Sequence, residues 1–238
     1  MQKMADTIFY SSGIRHLQQL PEQESLHCTK VLRMKEGDQL TVTDGKGFFF
    51  LCTLIQAHPK HCIVSIDAEV AQPKTWNFNL HIAFAPTKNI DRMEWFAEKA
   101  TESGIDRFTP LLCRFSERKE LKTERLEKIV VSAMKQSQQA VMPVIDEMNP
   151  FDLFVENPFT GRKFIAHCHP TPKTALAKTY QKGEDALILI GPEGDFSEEE
   201  IQKAVSLGFE PVSLGENRLR TETACLVACH TLHVLNLT

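Results

Sequence analysis

From residue 79 onward, short apolar runs alternate with longer amphipathic segments, and this alternation restricts the possible fold more than any other feature. Runs with the length and composition of buried strands occur at 79–85, 106–113, 163–168, 186–191 and 210–215. An amphipathic helix is predicted at 89–104, and further helices are predicted at 123–140, 173–182, 198–207 and 221–236. Strands separated by helices predict an α/β domain, in which a mostly parallel sheet is covered by helices on both faces.

The N-terminal region has a different pattern, because its predicted strands follow one another without long helices. Residues 38–55 are typical of a strand, a DGKG turn and a second strand. A short helix is predicted within 24–34, with one side formed by Leu26, Val31 and Leu32. We therefore predict a small barrel-like β domain at residues 1–72 and the α/β domain at 73–238.

Composition narrows the class of protein. The chain carries a net charge of −4, which argues against wholesale coating by nucleic acid but is compatible with a local basic face. It has no apolar run of about 18 residues and no basic-then-apolar N-terminus, so we expect neither a membrane span nor a signal peptide. The seven cysteines form no C-x-x-C pair, which is typical of free thiols in a reducing cytosol. We therefore expect a cytoplasmic protein with no membrane partner.

Three C-terminal segments share one form, an apolar strand that ends in a polar or glycine-rich loop. They are FIAHCHP (164–170), LILIGPEGDF (187–196) and PVSLGENRLRTETA (211–224). Ligands of open α/β sheets bind outside the carboxyl ends of the strands. If these three strands are neighbours, their loops therefore converge on one pocket.

The loop GPEG within the second segment is not a phosphate loop of the usual kinds. Pro192 removes a backbone N–H donor, and the carboxylate of Glu193 would repel a phosphate. A neutral or cationic ligand suits this loop better, although a tight turn without a ligand explains the same residues.

The sequence NRLRTETA at the end of the third segment also has two interpretations. Arg218 and Arg220 offer planar forks of donors for carbonyl, phosphate or carboxylate groups. Equally, the threonines that follow are typical of a helix N-terminus beside an exposed pair of arginines.

Taken together, these motifs resemble the ribosomal RNA small subunit methyltransferase E family of the SPOUT superfamily. LIGPEGDFSEEEI followed by VSLGENRLRTETA carries the closest resemblance, and segments 27–47 and 88–111 agree with it. The resemblance implies a PUA-like N-terminal β-barrel domain and an α/β domain with a deep trefoil knot. It further implies a homodimer that uses S-adenosylmethionine to methylate N3 of a specific uridine in small-subunit (16S) ribosomal RNA.

The same resemblance implies roles for individual residues. The expected cofactor-binding residues are His167, Leu189, Ile190, Gly191, Pro192, Glu193, Gly194, Ser213, Leu214, Gly215, Leu219 and Arg220. The expected catalytic residues are Arg220, which would stabilise negative charge on the uracil oxygens, and Glu222 or Glu193 as general base, with orientation of Arg220 the favoured task of Glu222. The RNA-binding candidates are Arg33, Lys35, Lys88 and Arg92.

Some residues depart from the family pattern, and alternative functions stay open. Asp195 replaces a usual glycine, Asn217 stands where an arginine is frequent, and Gln138-Gln139 replaces Gly-Arg. The histidines at 167 and 169 have no matching second pair of ligands, so we expect no metal. The alternative functions are methylation of another RNA, such as transfer RNA, and a non-catalytic RNA-binding adaptor.

Overall fold

The structure, a computed structural model, describes residues 7–237 and divides into two compact units. The first unit runs to Thr75 and also includes Val131–Met142, and the second comprises Trp76–Val130 and the chain from Pro143 onward. The domain boundary expected between residues 72 and 73 stays a prediction. The assignment of 131–142 to the first unit was not predicted.

A four-stranded sheet forms the first unit. Its strands are β1 (Ile8–Tyr10), β2 (Gln39–Thr43), β3 (Phe48–Gln56) and β4 (Ile63–Ala71), in that spatial order. The first pair is parallel and the other two pairs are antiparallel. Alternate strand residues, among them Leu40, Val42, Phe50 and Leu54, are buried in one core. The predicted strand, turn and second strand at 38–55 are therefore confirmed.

The short helix predicted within 24–34 exists, but the apolar side predicted for it is not buried. Helix α1 (Ile14–Leu17) is followed by α2 (Glu22–Leu26), which continues as a π-helix over His27–Val31. Leu26, Val31 and Leu32 are all exposed. The wider π-helical turn changes which side chains face inward. Ser25 is buried instead, and its hydroxyl accepts the Cys62 N–H at 2.9 Å.

The segment 131–142 is bonded within the first unit. It includes the end of helix α4 (Thr123–Gln136). The Lys135 ammonium lies 2.5 Å from a carboxylate oxygen of Glu24. After the helix, Ala140 accepts the Gly47 N–H at 2.8 Å, and the Met142 N–H donates to the Gly45 carbonyl at 2.9 Å. The turn between β2 and β3 is therefore held by residues about a hundred positions away.

A parallel sheet is the centre of the second unit. Its strands lie in the order β10 (Thr174–Ala175), β12 (Glu210–Ser213), β9 (Arg162–Ala166), β11 (Ala186–Ile190), β5 (Leu80–Phe84), β6 (Arg107–Leu112) and β7 (Val144–Ile145), with β8 (Asn149–Pro150) also beside β6. Every one of these pairs is parallel. The mostly parallel sheet predicted from the alternation is confirmed.

Helices lie on both faces of this sheet, as predicted. Leu187 and Leu189 of β11 share a cluster with α5 (Phe151–Phe154) and α7 (Glu198–Ser206), while the intervening Ile188 points the other way. On that other face, α8 (Thr221–Leu237) packs against α3 (Ile90–Ser103). The helix predicted at 173–182 is shorter than expected, because α6 (Leu176–Thr179) is a single turn that directly follows the strand β10.

Helix α3 ends where its glycine is needed. Gly104 has a φ of 106°, and a Cβ at this position would lie 2.9 Å from both Trp76 and His233. Its carbonyl accepts bonds from α8, at 2.5 Å from His233 Nε2 and 3.6 Å from Cys229 Sγ. These two side chains therefore fasten α8 to the end of α3.

Across residues 7–237, none of the helices combines the length and apolarity that a bilayer crossing needs.

Candidate functional site

Three adjacent strands place the three predicted loops at one edge of the sheet. Strand β9 lies between β12 and β11, and both neighbours pair with it in parallel. In register, Ile190 at the end of β11 is opposite Ala166 at the end of β9, and Val212 of β12 is also opposite Ala166. The loops therefore leave the sheet at about the same level, and the condition for their convergence, that these strands are neighbours, is met.

The loop after β11 is a tight turn with closely packed glycines. The Asp195 N–H donates to the Pro192 carbonyl at 2.9 Å. A Cβ on Gly191 would lie 3.1 Å from the backbone nitrogen of Phe196, and a Cβ on Gly194 would lie 3.1 Å from Phe115 Cβ. The backbone at Gly191 and Pro192 is buried, whereas the next two residues are exposed. The turn interpretation is thus confirmed, but it does not exclude a ligand.

Two hydrogen bonds connect this turn to the loop after β12. Thr221, at the start of α8, donates its hydroxyl to the Gly191 carbonyl at 3.1 Å. Arg218 donates to the Glu193 carbonyl at 3.3 Å. Gly215, in the same loop, has a φ of 141° and open space where a Cβ would be. The loop containing Ser213, Leu214 and Leu219 is therefore fixed against the turn at its far end.

Asp195, the unexplained departure from the family pattern, connects the turn to the loop after β9. Its φ is 67°, in the left-handed region that aspartate tolerates better than most residues. One carboxylate oxygen accepts the Cys168 N–H at 2.7 Å, and the other accepts the Phe196 N–H at 2.8 Å. His169 Nε2 adds a bond to the Phe196 carbonyl at 2.8 Å. A side chain thus makes a connection here that glycine could not make.

His167 is the polar side chain of the site that most clearly lacks a partner. Only 6% of its surface is exposed, and neither ring nitrogen has a hydrogen-bond partner among the described residues. Burial lowers its pKa to about 4, helped by the nearby Lys173 and His169 and opposed by Asp195. The imidazole is therefore neutral near pH 7, with one donor and one acceptor for a ligand.

Glu222 does not orient Arg220, and this expectation is wrong. The Glu222 side chain points toward α3, where its Oε1 lies 3.8 Å from Arg92 Nε. That distance describes a charge pair rather than a hydrogen bond. Its second oxygen, Oε2, is buried without a partner among residues 7–237. The cause is the packing of α8 on α3, which sequence proximity to Arg220 does not reveal.

The other two catalytic candidates are on the surface. Arg220 is exposed just before α8, and within the described part of the chain its guanidinium forms no ion pair or hydrogen bond. Glu193 is exposed as well, and its carboxylate accepts the backbone N–H of Lys88 at 3.2 Å. The Glu193 side chain therefore connects the turn after β11 to the loop after β5.

The RNA-binding candidates are distributed over both units. In the first unit, Arg33 and Lys35 are exposed, and Arg33 has a φ of 55°. In the second unit, the Lys88 ammonium pairs with Glu117 at 3.2 Å, while Arg92 faces Glu222 as described. Lys88 is 81% exposed at its side chain, so it is accessible to a polyanion.

One segment near the site was missed by the sequence analysis. Residues 113–122 follow β6 and carry an exposed aromatic ring, Phe115, beside Gly194. Arg118 in this segment donates to the carbonyls of Thr87 and Lys88, at 3.1 and 2.6 Å. The signal that could have found it is the run RFSERKELK directly after an apolar strand.

Among residues 7–237 there is no cluster of three or more side chains suited to a metal ion.

Comparison with known proteins identifies the family. Residues 74–233 match the family described as an RNA methyltransferase domain, and residues 20–67 match an RNA methyltransferase PUA domain. The chain belongs to the RNA methyltransferase family. The second match confirms the PUA-like N-terminal β domain, while barrel closure and the trefoil knot stay predictions.

Individual relatives agree with this family. A structure of a probable rRNA-methyltransferase from Porphyromonas gingivalis is 44% identical, with a TM-score of 0.92, covering 97% of this chain and 98% of that one. A ribosomal RNA small subunit methyltransferase E from Neisseria gonorrhoeae, solved bound to S-adenosyl methionine, is 26% identical, with a TM-score of 0.85 and 98% of both chains covered. A protein of that name from Buchnera aphidicola is 29% identical over 91% of this chain and 87% of its own. The resemblance stated from the sequence is confirmed.

We predict that Asp195→Ala lowers the free energy of unfolding by about 2 kcal/mol, because it removes the acceptor for Cys168 and leaves a Cβ residue at positive φ without compensation. Asp195→Asn keeps one acceptor and tolerates the backbone angle, so its loss is smaller. Urea unfolding measures both. Asp152→Ala, at an exposed aspartate of the same unit, is the control and changes stability by less than about 0.5 kcal/mol. An Asp195→Ala protein as stable as this control would contradict the prediction.

Proposed function

We propose that this RNA methyltransferase uses S-adenosylmethionine to methylate N3 of a specific uridine in small-subunit (16S) ribosomal RNA. The observation that carries the proposal is the joining of three loops at the carboxyl edge of β12, β9 and β11, through Thr221, Arg218 and Asp195. These are the segments that resemble the small subunit methyltransferase E family. The N3 position and the choice of RNA come from that resemblance.

The residues at this edge fit S-adenosylmethionine. The buried Leu189–Gly191 and the half-buried Ser213 and Leu214 would bind the adenine and methionine parts through their backbone, and His167 would supply the unpaired donor and acceptor. Glu193 suits a cationic sulfonium better than a phosphate. Gly194 and Gly215 permit close approach of the backbone. When bound, S-adenosylmethionine would supply an electrophilic methyl group on a positively charged sulfur.

Arg220 is the residue that we assign to charge stabilisation. Uridine N3 must lose its proton before its electron pair can form the new N–C bond, and negative charge then spreads to the uracil oxygens. The Arg220 guanidinium, exposed and without an ion pair among the described residues, is available to donate to one of these oxygens. Its planar fork of donors suits a carbonyl oxygen of this kind.

Glu222 is the better of the two candidates for the base. Its Oε2 is buried without a partner within residues 7–237, and Arg92 alone approaches the other oxygen as a cation. The carboxylate of Glu193 is exposed and already accepts the Lys88 N–H. We therefore assign Glu222 to receive the N3 proton, with Arg92 3.8 Å from its other oxygen.

Cations would position the RNA through its phosphates. We assign Arg33 and Lys35 of the first unit and Lys88 of the second to such contacts, because all three are exposed. Arg92 is the weaker candidate, since its side chain is 37% exposed and already faces Glu222.

The product identifies the reaction. The purified protein, incubated with S-adenosylmethionine labelled at the methyl group and small ribosomal subunits that lack the modification, is expected to transfer label to ribosomal RNA. Digestion to nucleosides followed by mass spectrometry is expected to give N3-methyluridine. A methyl group on the ribose or on carbon 5 would overturn the N3 assignment. Label on transfer RNA alone would favour the alternative substrate, and failure to bind the cofactor in calorimetry would favour the adaptor.

For Arg220→Ala, we predict a fall in turnover of about 100-fold, the usual effect of removing a donor to developing negative charge. Cofactor affinity, measured separately by calorimetry, is expected to stay within a few-fold. Arg220→Lys keeps the charge without the fork, so it recovers part of the activity. Turnover near wild type for Arg220→Ala would make the assignment wrong. Loss of cofactor affinity in that variant would move Arg220 to the cofactor site.

The protein is also proposed to be a homodimer. The resemblance implies it, and the last turns of α8 leave apolar side chains in solvent, with Val234 44% and Leu237 84% exposed. Light scattering is expected to give about twice the chain mass of 27.0 kDa. A mass of one chain at micromolar concentration would contradict the proposal.

A further inference from the structure

The segment after β6 places an exposed aromatic ring next to the loop assigned to the cofactor. Phe115 is 49% exposed, and a Cβ on Gly194 would lie 3.1 Å from Phe115 Cβ. The base of the Phe115 side chain therefore lies against the Gly-Pro-Glu-Gly turn. This proximity follows from the strand order, because β6 is separated from β11 only by β5.

The backbone on both sides of Phe115 is fixed. The Arg114 N–H donates to a carboxylate oxygen of Glu200 at 2.8 Å. The buried Ser116 accepts the Cys113 N–H on its hydroxyl at 3.0 Å. Arg118 then binds the carbonyls after β5, as described above. A ring presented by an ordered backbone costs little further entropy when it binds a ligand.

The segment that carries the ring is rich in basic side chains, one of which, Arg114, forms an ion pair with Glu199 at 3.2 Å. Residues 114–122 contain four basic and two acidic side chains, although the whole chain is acidic at −4. The Arg114 guanidinium lies 5.8 Å from the centroid of the Phe115 ring. Lys88, in the loop after β5, is connected to this segment through its ion pair with Glu117. An aromatic ring among cations is the combination that binds single-stranded nucleic acid, by stacking on bases and by neutralising phosphates.

We propose that Phe115 stacks on an unpaired nucleobase of the RNA substrate while the basic side chains of 114–122 hold the adjoining phosphates. The inference rests on the proposed function, and it assigns to this segment the RNA side of the site. An enzyme that modifies a base must take that base out of its stack, and an aromatic surface compensates for the lost stacking. Leu121 and Cys113 contribute apolar burial to the segment, so the exposed ring is left for a ligand.

Three variants test the role of the ring. Phe115→Ala removes it, Phe115→Trp keeps an aromatic face, and Leu153→Ala truncates an exposed apolar side chain of α5 as a matched control. Steady-state methylation of small ribosomal subunits is expected to show the KM for RNA raised about tenfold or more by Phe115→Ala. Phe115→Trp is expected to restore a KM near wild type, and Leu153→Ala to leave it unchanged. Cofactor affinity by calorimetry is expected to be the same in all three.

Several outcomes would overturn the stacking role. These are a normal KM in Phe115→Ala, an equal loss in Leu153→Ala, or a loss in Phe115→Trp as large as in Phe115→Ala. A change from dimeric to monomeric mass in Phe115→Ala would assign the ring to a second copy of the chain instead. RNA affinity, measured by fluorescence anisotropy without the cofactor, separates the two proposals. If wild type transfers no methyl group but Phe115→Ala still weakens RNA binding, the proposed function fails and the stacking role stands.

Discussion

The parallel pairing of β11 with β9 on one side and β5 on the other is the constraint on which the site depends. All five residues of β11 are buried, and its last residue, Ile190, is level with Ala166 and Phe84. The loops that follow these strands therefore start at one height. A slip of one residue would turn Leu187 and Leu189 away from their cluster, so the two apolar faces fix the register.

The sequence was sufficient to predict the parts of the fold that rest on local patterns. Apolar runs such as 186–191 became strands, and the segments at 89–104 and 221–236 became α3 and α8, because buried strands and amphipathic helices have distinct periods. The π-helix at His27–Val31 was beyond this reasoning, since one wider turn changes the phase of the pattern. The bonding of 131–142 to the first unit was also hidden, because it depends on partners far away in sequence.

In the candidate site too, some features follow from the spacing of residues along the sequence, and others depend on how the elements pack. The neighbouring loops were predictable from three strands with similar ends. The partner of Glu222 was not, because Arg92 lies on another helix about 130 residues earlier. The sequence offered no reason for an aspartate at position 195, yet its carboxylate accepts the backbone N–H of Cys168. A substitution that departs from a family pattern can therefore serve the same loop by a bond that the common glycine does not make.

Charge is distributed unevenly along the carboxyl edge of the sheet. The loops after β9, β11 and β12 are joined to one another by bonds between one side chain and one backbone group, with His167 as a neutral, unpaired side chain among them. The loops after β5 and β6 carry Lys88, Arg114 and Arg118, of which Lys88 pairs with Glu117 and Arg114 with Glu199. Under the proposed function, the first group suits a compact cofactor and the second suits a polyanion. A net charge of −4 does not prevent a chain from binding RNA, because phosphate contacts depend on where the basic side chains lie.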